Sequence, residues 1–127
     1  MRKRTITSAL AVTTALAAVT AGPSLAGQDS APTARAAKTT TVKFGEYFYS
    51  PRKITVSAGD TVRFLNVGKI EHTVADSTKS GTIRSRVIKP RPLKRGASQR
   101  VTLKKRGTVY YLCTFHPGQM RGSITVR

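Results

Sequence analysis

A cysteine, a histidine and a methionine crowd into one short segment, Cys113-Thr-Phe-His116-Pro-Gly-Gln-Met120, and any fold this chain adopts has to serve that segment. There is no other cysteine. The only other histidine is His72, 41 positions upstream, and the only other methionine is Met1. Four metal-ligating side chains are thus split between one tight loop and one distant point. A long-range fold has to close the gap, on elements rigid enough to hold it closed.

The rest of the sequence says what those elements are. Short β-prone runs are punctuated by Gly, Pro and Asp: Thr41–Phe44, Lys53–Val56, Thr61–Leu65, Gln99–Leu103, Thr108–Cys113 and Gly122–Arg127. Ser57-Ala-Gly-Asp60 reads as the turn between the second and third runs. No segment carries a capped helical stripe. Several short strands at close spacing predict an all-β sandwich or barrel. Alternation puts Val109, Tyr111 and Cys113 on one strand face, and Tyr110 and Leu112 on the other. Cys113 then ends a strand, and the loop through Pro117-Gly118 presents His116 and Met120 back toward it. His72, at the start of another strand-like run, is expected from across the sandwich.

Ahead of this domain the composition changes twice. Met1-Arg-Lys-Arg4 is a basic start, no charged residue follows until Asp29, and small residues frame Ser24-Leu25-Ala26. Residues 1–26 therefore read as a cleaved secretory signal peptide, since so much Ala and Thr with Pro23 makes a poor membrane span. No cysteine lies near the cleavage point, which argues against a lipid anchor. Residues 27–40 read as a flexible Ala/Thr/Pro-rich leader, with Ala34-Arg-Ala36 a second candidate processing point. Residues 41–127 are left for one domain with one core. The signal sends the protein across the plasma membrane, to be periplasmic, secreted or cell-envelope associated, with no transmembrane span in the mature form.

Outside the cytoplasm a lone cysteine needs an occupation. It has no partner for an internal disulfide, and an exposed thiol there would oxidise or cross-link. A buried, inert core cysteine is the plain alternative. It leaves unexplained a histidine three residues on and a methionine beyond it. A thiolate, two imidazoles and a thioether are the donor set of a mononuclear type 1 (blue) copper centre: a Cys/His/His plane with a weak axial Met. The set predicts one copper, held by His72, Cys113, His116 and Met120. A multicopper oxidase would need more histidines, and a binuclear two-thiolate centre a second cysteine. A hydrolytic zinc site would want an open position and a base. A Cys–His nucleophile would want an orienting partner and has no use for a methionine. The chain is read as a carrier or binding protein, not an enzyme.

At these residues the sequence resembles the cupredoxin family of small type 1 copper proteins, in particular its plastocyanin and amicyanin-like branch. The likeness covers roughly Thr41 to Arg127. It takes in Phe48-Tyr-Ser-Pro51, Ile54-Thr-Val-Ser-Ala-Gly-Asp-Thr-Val62, Phe64-Leu-Asn66, Tyr111-Leu-Cys-Thr-Phe-His-Pro-Gly118 and Gly122-Ser-Ile-Thr-Val126. The resemblance implies a Greek-key β-sandwich with the copper near one end, and it maps His72, Cys113, His116 and Met120 onto the ligands. The spacing from His116 to Met120 is one residue longer than in amicyanin-like loops and one shorter than in plastocyanin. That makes Gln119 a rival axial oxygen donor, with Met120 preferred. Backbone N–H groups commonly donate to the thiolate in this family, and Pro117 has none to give. Thr73 and Thr114 each follow a ligand, and their hydroxyls are expected to bond across the site, although ordinary β-propensity also explains them. Asn66 is expected to be a structural residue near the His72 loop.

Charge is the second informative feature. The 23 Lys and Arg outnumber the 5 Asp and Glu, for a net +18, and loss of Arg2, Lys3 and Arg4 with the signal leaves +15. From Lys79 to Arg106 there are eleven basic residues and no acidic one. Such a field steers association toward an acidic redox protein or an anionic envelope surface and makes it salt-dependent. A solvated basic face that only aids solubility is the competing account. Nucleic acid is disfavoured in an exported chain without a recognition motif. Strong charge also favours a monomer.

Together these features predict an exported type 1 copper protein that carries single electrons, and the resemblance implies exchange through His116, behind an apolar rim of Phe115, Pro117 and Gly118. The alternative is a copper-binding protein for storage or delivery of the metal, which would prefer Cu(I) and surrender it. A third reading is a wall-binding β-sandwich module that uses its basic face and holds metal only for structure.

Overall fold

A computed structural model of the chain describes residues 35–127. The expected signal peptide and most of the expected leader lie outside the described residues. Eight strands follow one another: β1 (Thr39–Gly45), β2 (Phe48–Ser50), β3 (Lys53–Val56), β4 (Asp60–Asn66), β5 (Ala75–Ser77), β6 (Ser98–Leu103), β7 (Gly107–Leu112) and β8 (Arg121–Val126). They form two mixed sheets, ordered β2-β1-β4-β6 and β3-β8-β7-β5. This is the all-β sandwich that the short alternating runs predict. No helix occurs among the described residues, and none is therefore long and apolar enough to cross a membrane.

Alternation builds the core. In β4 the odd members of the run, Asp60, Val62, Phe64 and Asn66, are buried, and Thr61, Arg63 and Leu65 between them are partly exposed. Val42 and Phe44 of β1 and Val101 and Leu103 of β6 join them from one sheet. Val56, Tyr111, Ile124 and Val126 face them from the other. Each large side chain fully withdrawn from water here stabilises the fold by about 1.5–3 kcal/mol. Tyr49 and Tyr111 meet edge to face at 4.8 Å. Burial pushes both phenols well above their usual range, so both stay neutral and act as hydrogen-bond donors. Tyr49 uses its hydroxyl on the Thr73 carbonyl at 2.8 Å, which ties the core to the segment after His72. Gly122 is required because the Tyr111 ring lies where a β-carbon would stand, 2.3 Å away.

The first strand starts earlier than composition suggests. β1 begins at Thr39, because its parallel register with β4 pairs Thr39 with Thr61. The Asp60 carboxylate then gathers the incoming chain, accepting from the Arg35 guanidinium and from the Lys38 and Ser57 N–H groups at 2.9 Å each. The Ser57–Asp60 turn is as expected, with Gly59 at φ +93° and the Asp60 N–H donating to the Ser57 carbonyl. From β5 the chain leaves the edge of one sheet and returns as β6 on the edge of the other. The long basic connection between them is pinned by the buried Asp76 carboxylate, which accepts from the Val87 and Ile88 N–H groups at 2.9 and 2.7 Å. Ile88 and Leu93 plug the same connection into the core.

Candidate metal centre

The β7–β8 hairpin supplies most of the site. Its last registered pair is Leu112 with Arg121. One step further, the Cys113 N–H donates to the Met120 carbonyl at 3.0 Å, so these two residues continue the ladder and close a loop between them. Within it the Gln119 and Met120 N–H groups donate to the His116 carbonyl, and the His116 N–H donates to the Cys113 carbonyl. Arg121 braces the loop from outside, donating to the Pro117 carbonyl and, at 3.3 Å, to that of Ser80. Cys113 and Met120 are both 0% exposed. Gln119, the rival to Met120, is on the surface.

His72 arrives by another route. It lies in the crossover that carries the chain from β4 in one sheet to β5 in the other. β5 pairs with β7, placing Ala75 opposite Leu112. His72 therefore reaches Cys113 from the crossover between the two sheets, three residues before β5, the strand that neighbours β7. Three other segments fix its backbone. His72 and Leu93 exchange two backbone hydrogen bonds. Asn66, buried as a structural residue, donates from Nδ2 to the Ile70 and Leu93 carbonyls at 2.8 and 2.7 Å and accepts from the Gly68 N–H. The Glu46 carboxylate accepts from the Lys69 and Ile70 N–H groups.

The two routes converge on one sulfur. Cys113 Sγ lies 3.9 Å from Nδ1 of His72 and 3.9 Å from Nδ1 of His116. The ligating atoms of the three residues fall within 4.8 Å of one another. The Thr73 N–H points at the sulfur from 3.4 Å and the Thr73 hydroxyl from 3.7 Å. That hydroxyl also meets the Thr114 hydroxyl at 2.7 Å and accepts from the Thr114 N–H at 2.8 Å. The two threonines do bond across the site. Burial, reinforced by the neighbouring His116, lowers the pKa of His72 against an opposing pull from Glu46. That shift favours the neutral imidazole, which has a lone pair to offer.

This donor set fits a metal ion on geometry and chemistry. Taking zinc's bond lengths of about 2.3 Å to sulfur and about 2.0 Å to nitrogen, a trigonal plane needs donors about 3.7 Å apart. The observed separations of 3.9 Å are close to that. A thiolate aided by N–H donors, with a buried thioether nearby, selects a soft ion.

Residues 36–127 match the family of copper-binding proteins described as the plastocyanin/azurin family. The chain belongs to this cupredoxin family. A plastocyanin A/B from Petroselinum crispum is 31% identical over 87 residues, spanning 65% of this chain and 90% of the plastocyanin. An amicyanin variant in its reduced state has a TM-score of 0.60 at 30% identity, over 77% of this chain and 89% of the amicyanin. A purple cupredoxin from Nitrosopumilus maritimus has a TM-score of 0.65 at 24% identity, over 69% of this chain and 99% of its own, and speaks for the fold alone. The cofactor of this cupredoxin is one type 1 copper.

Sequence reading missed one neighbour of the cupredoxin site. Tyr47, in the turn between β1 and β2, sets its ring edge-on to His116, with centroids 4.8 Å apart and planes at 85°. It holds a left-handed backbone, φ +64°, rare for a residue with a side chain. Tyr47 and Phe115 are each 51% exposed and flank the half-buried His116. The only trace in the sequence is the short Gly45-Glu-Tyr-Phe48 step between two strands, which says nothing of His116.

Proposed function

We propose that this cupredoxin is an exported carrier of single electrons, with its copper held by His72 Nδ1, Cys113 Sγ, His116 Nδ1 and, axially, the Met120 thioether. The observation that carries the reading is the convergence of both Nδ1 atoms on the buried Cys113 sulfur. Copper in such a set supplies a reversible one-electron Cu(I)/Cu(II) couple. The chain's own contribution is rigidity. The loop from Cys113 to Met120 is braced by its own backbone, His72 by its bonds to Leu93, and the two halves by Thr73 and Thr114. Donors held this way change little between oxidation states, which lets an electron move without rearrangement. The buried face of Phe44, edge-on to His72, keeps water away from the inner side. Met120 is preferred to Gln119 because its side chain is buried beside Cys113 and that of Gln119 faces solvent.

His116 is the port through which electrons pass. It is the one imidazole of the pair that reaches the surface, and Tyr47 and Phe115 beside it give a partner a small apolar landing. A carrier needs only a small, transient contact of this kind. Excess positive charge draws in an acidic redox partner. Export rests on the basic start and apolar stretch of residues 1–26.

A visible absorption spectrum after one equivalent of Cu(II) tests the proposal. An intense thiolate-to-copper band that bleaches with ascorbate and returns with oxidant is expected. A colourless protein with an oxidised thiol, or one that holds Cu(I) alone, overturns the carrier reading in favour of copper delivery.

A further inference from the structure

The pole of the sandwich opposite the metal carries a surface of different chemistry. β7 runs from Gly107 at that pole up to Cys113, which at about 3.3 Å per residue separates the two ends by about 20 Å. Between the β5–β6 connection and the β6–β7 turn lies a cleft of about 310 Å³. Buried Leu103, half-buried Val109 and Val87, 49% exposed, form its apolar part. Three consecutive exposed cations, Lys104, Lys105 and Arg106, line the rest.

Two more exposed cations stand at the same pole. Arg127 follows Val126, which pairs with Gly107, and the Lys38 N–H bonds Asp60, which pairs with Leu103. Among the described residues the one ion pair is Arg35 with Asp60, so none of these five cations is ion-paired to a described carboxylate. A basic turn that served solubility alone would need no apolar cleft beside it. A soluble polyanion would engage the cations and leave the cleft empty. An anionic lipid surface uses both: phosphates for the cations, and the headgroup–acyl boundary for an aliphatic side chain.

We propose that this pole docks the protein on a bilayer containing anionic phospholipid, with Lys104, Lys105 and Arg106 on headgroup phosphates and Val87 with its cleft at the acyl boundary. Docked this way, the protein turns His116 away from the membrane and toward soluble partners. The proposal does not rest on the electron-carrier reading, because vesicle binding needs no copper.

Flotation of the exported form, residues 27–127, with vesicles tests it, parent and variants carrying the same leader so that its contribution is common to all. Binding is expected to vesicles of phosphatidylcholine with phosphatidylglycerol and not to phosphatidylcholine alone. The triple variant Lys104→Glu, Lys105→Glu, Arg106→Glu should lower the partition by about a hundredfold or more, at about fivefold for each cation lost near an anionic surface. Val87→Ser, which changes no charge, should lower it about fivefold, and should leave binding to soluble polyphosphate as it was. Three results overturn the proposal: equal binding to neutral vesicles, undiminished binding by the triple variant, or undiminished binding by Val87→Ser. The last would reassign the pole to soluble polyanions or acidic proteins. An unchanged visible band in every variant shows that the metal end is intact, so a loss belongs to this pole.

Discussion

The hairpin that carries Cys113, His116 and Met120 is braced by its own backbone, whereas the crossover that carries His72 is braced by three other segments. In the hairpin, the Cys113–Met120 bond and the bonds to the His116 carbonyl lie within the loop itself. In the crossover, Asn66, Glu46 and Leu93 come from the end of β4, the β1–β2 turn and the β5–β6 connection. Donors that are close in sequence can be placed by a turn. A distant donor can be placed only by the assembled sandwich, so damage to the fold should reach His72 first.

The largest test of that contrast is Asn66→Ala. It strands the Gly68 N–H and removes one donor each from the Ile70 carbonyl, which is near solvent, and the Leu93 carbonyl, which keeps the His72 N–H, and a buried group left unpaired costs about 1–3 kcal/mol. Urea unfolding should show a loss of up to about 3 kcal/mol. Copper affinity should fall with it, while hydrogen exchange in the Cys113–Met120 loop stays closer to that of the parent than exchange around His72 does. Equal effects on both would break the comparison.

Thr73→Val cuts the tie between the two regions without changing side-chain shape. The Thr114 N–H loses its acceptor and the sulfur loses a hydroxyl neighbour. A loss of about 1–2 kcal/mol on denaturant titration is expected, together with a displaced thiolate-to-copper band. If the band stays where it is, the hydroxyl does not act on the sulfur.

A third test uses the far pole as a control. Asp60 has its pKa lowered to about 2, chiefly by the Arg35 guanidinium and then by the Lys38 and Ser57 N–H groups. A carboxylate depressed in the folded state stabilises it above its ordinary pKa, and that stabilisation is lost as the pH falls through the folded value. The parent should therefore lose stability between pH about 4 and about 2, and Asp60→Asn should lose much less over that window. Circular dichroism of the copper-free protein reads this, and it is expected to leave the order of the two site regions unchanged.

The smallest effect sharpens the axial assignment. Gln119→Ala should leave the visible spectrum and the reduction potential as they are, whereas Met120→Leu should move both. A Gln119→Ala variant with an altered spectrum would make Gln119 the axial donor.

Much of the fold was legible from one-dimensional pattern. Six of the eight strands follow from short β-prone runs set between turn residues, and in β4 and β6 burial alternates residue by residue. β2 (Phe48–Ser50) and β5 (Ala75–Ser77) did not show, since three residues are too few to establish a period. In β5 all three are buried, Asp76 among them, so no alternation exists to be found. The start of β1 was placed two residues late, because Thr39 and Thr40 owe their strand geometry to a register with β4 and not to their own composition. At the site, the role of Asn66 and the bond between the two threonines were legible, and the contact of Tyr47 with His116 was not.

What the sequence determined by itself is the choice of candidate donors, the strand class and the loop that returns Met120 to Cys113. Each depends on residue chemistry or on neighbours a few positions apart. Tertiary structure alone decided the side from which His72 arrives, the placing of Tyr47 on His116, and the gathering of Lys38, Lys104 to Arg106 and Arg127 at one pole. Those outcomes are set by which strands pair and in what register. Registers couple residues far apart in the chain, through burial and hydrogen bonds that exist only once both sheets have formed.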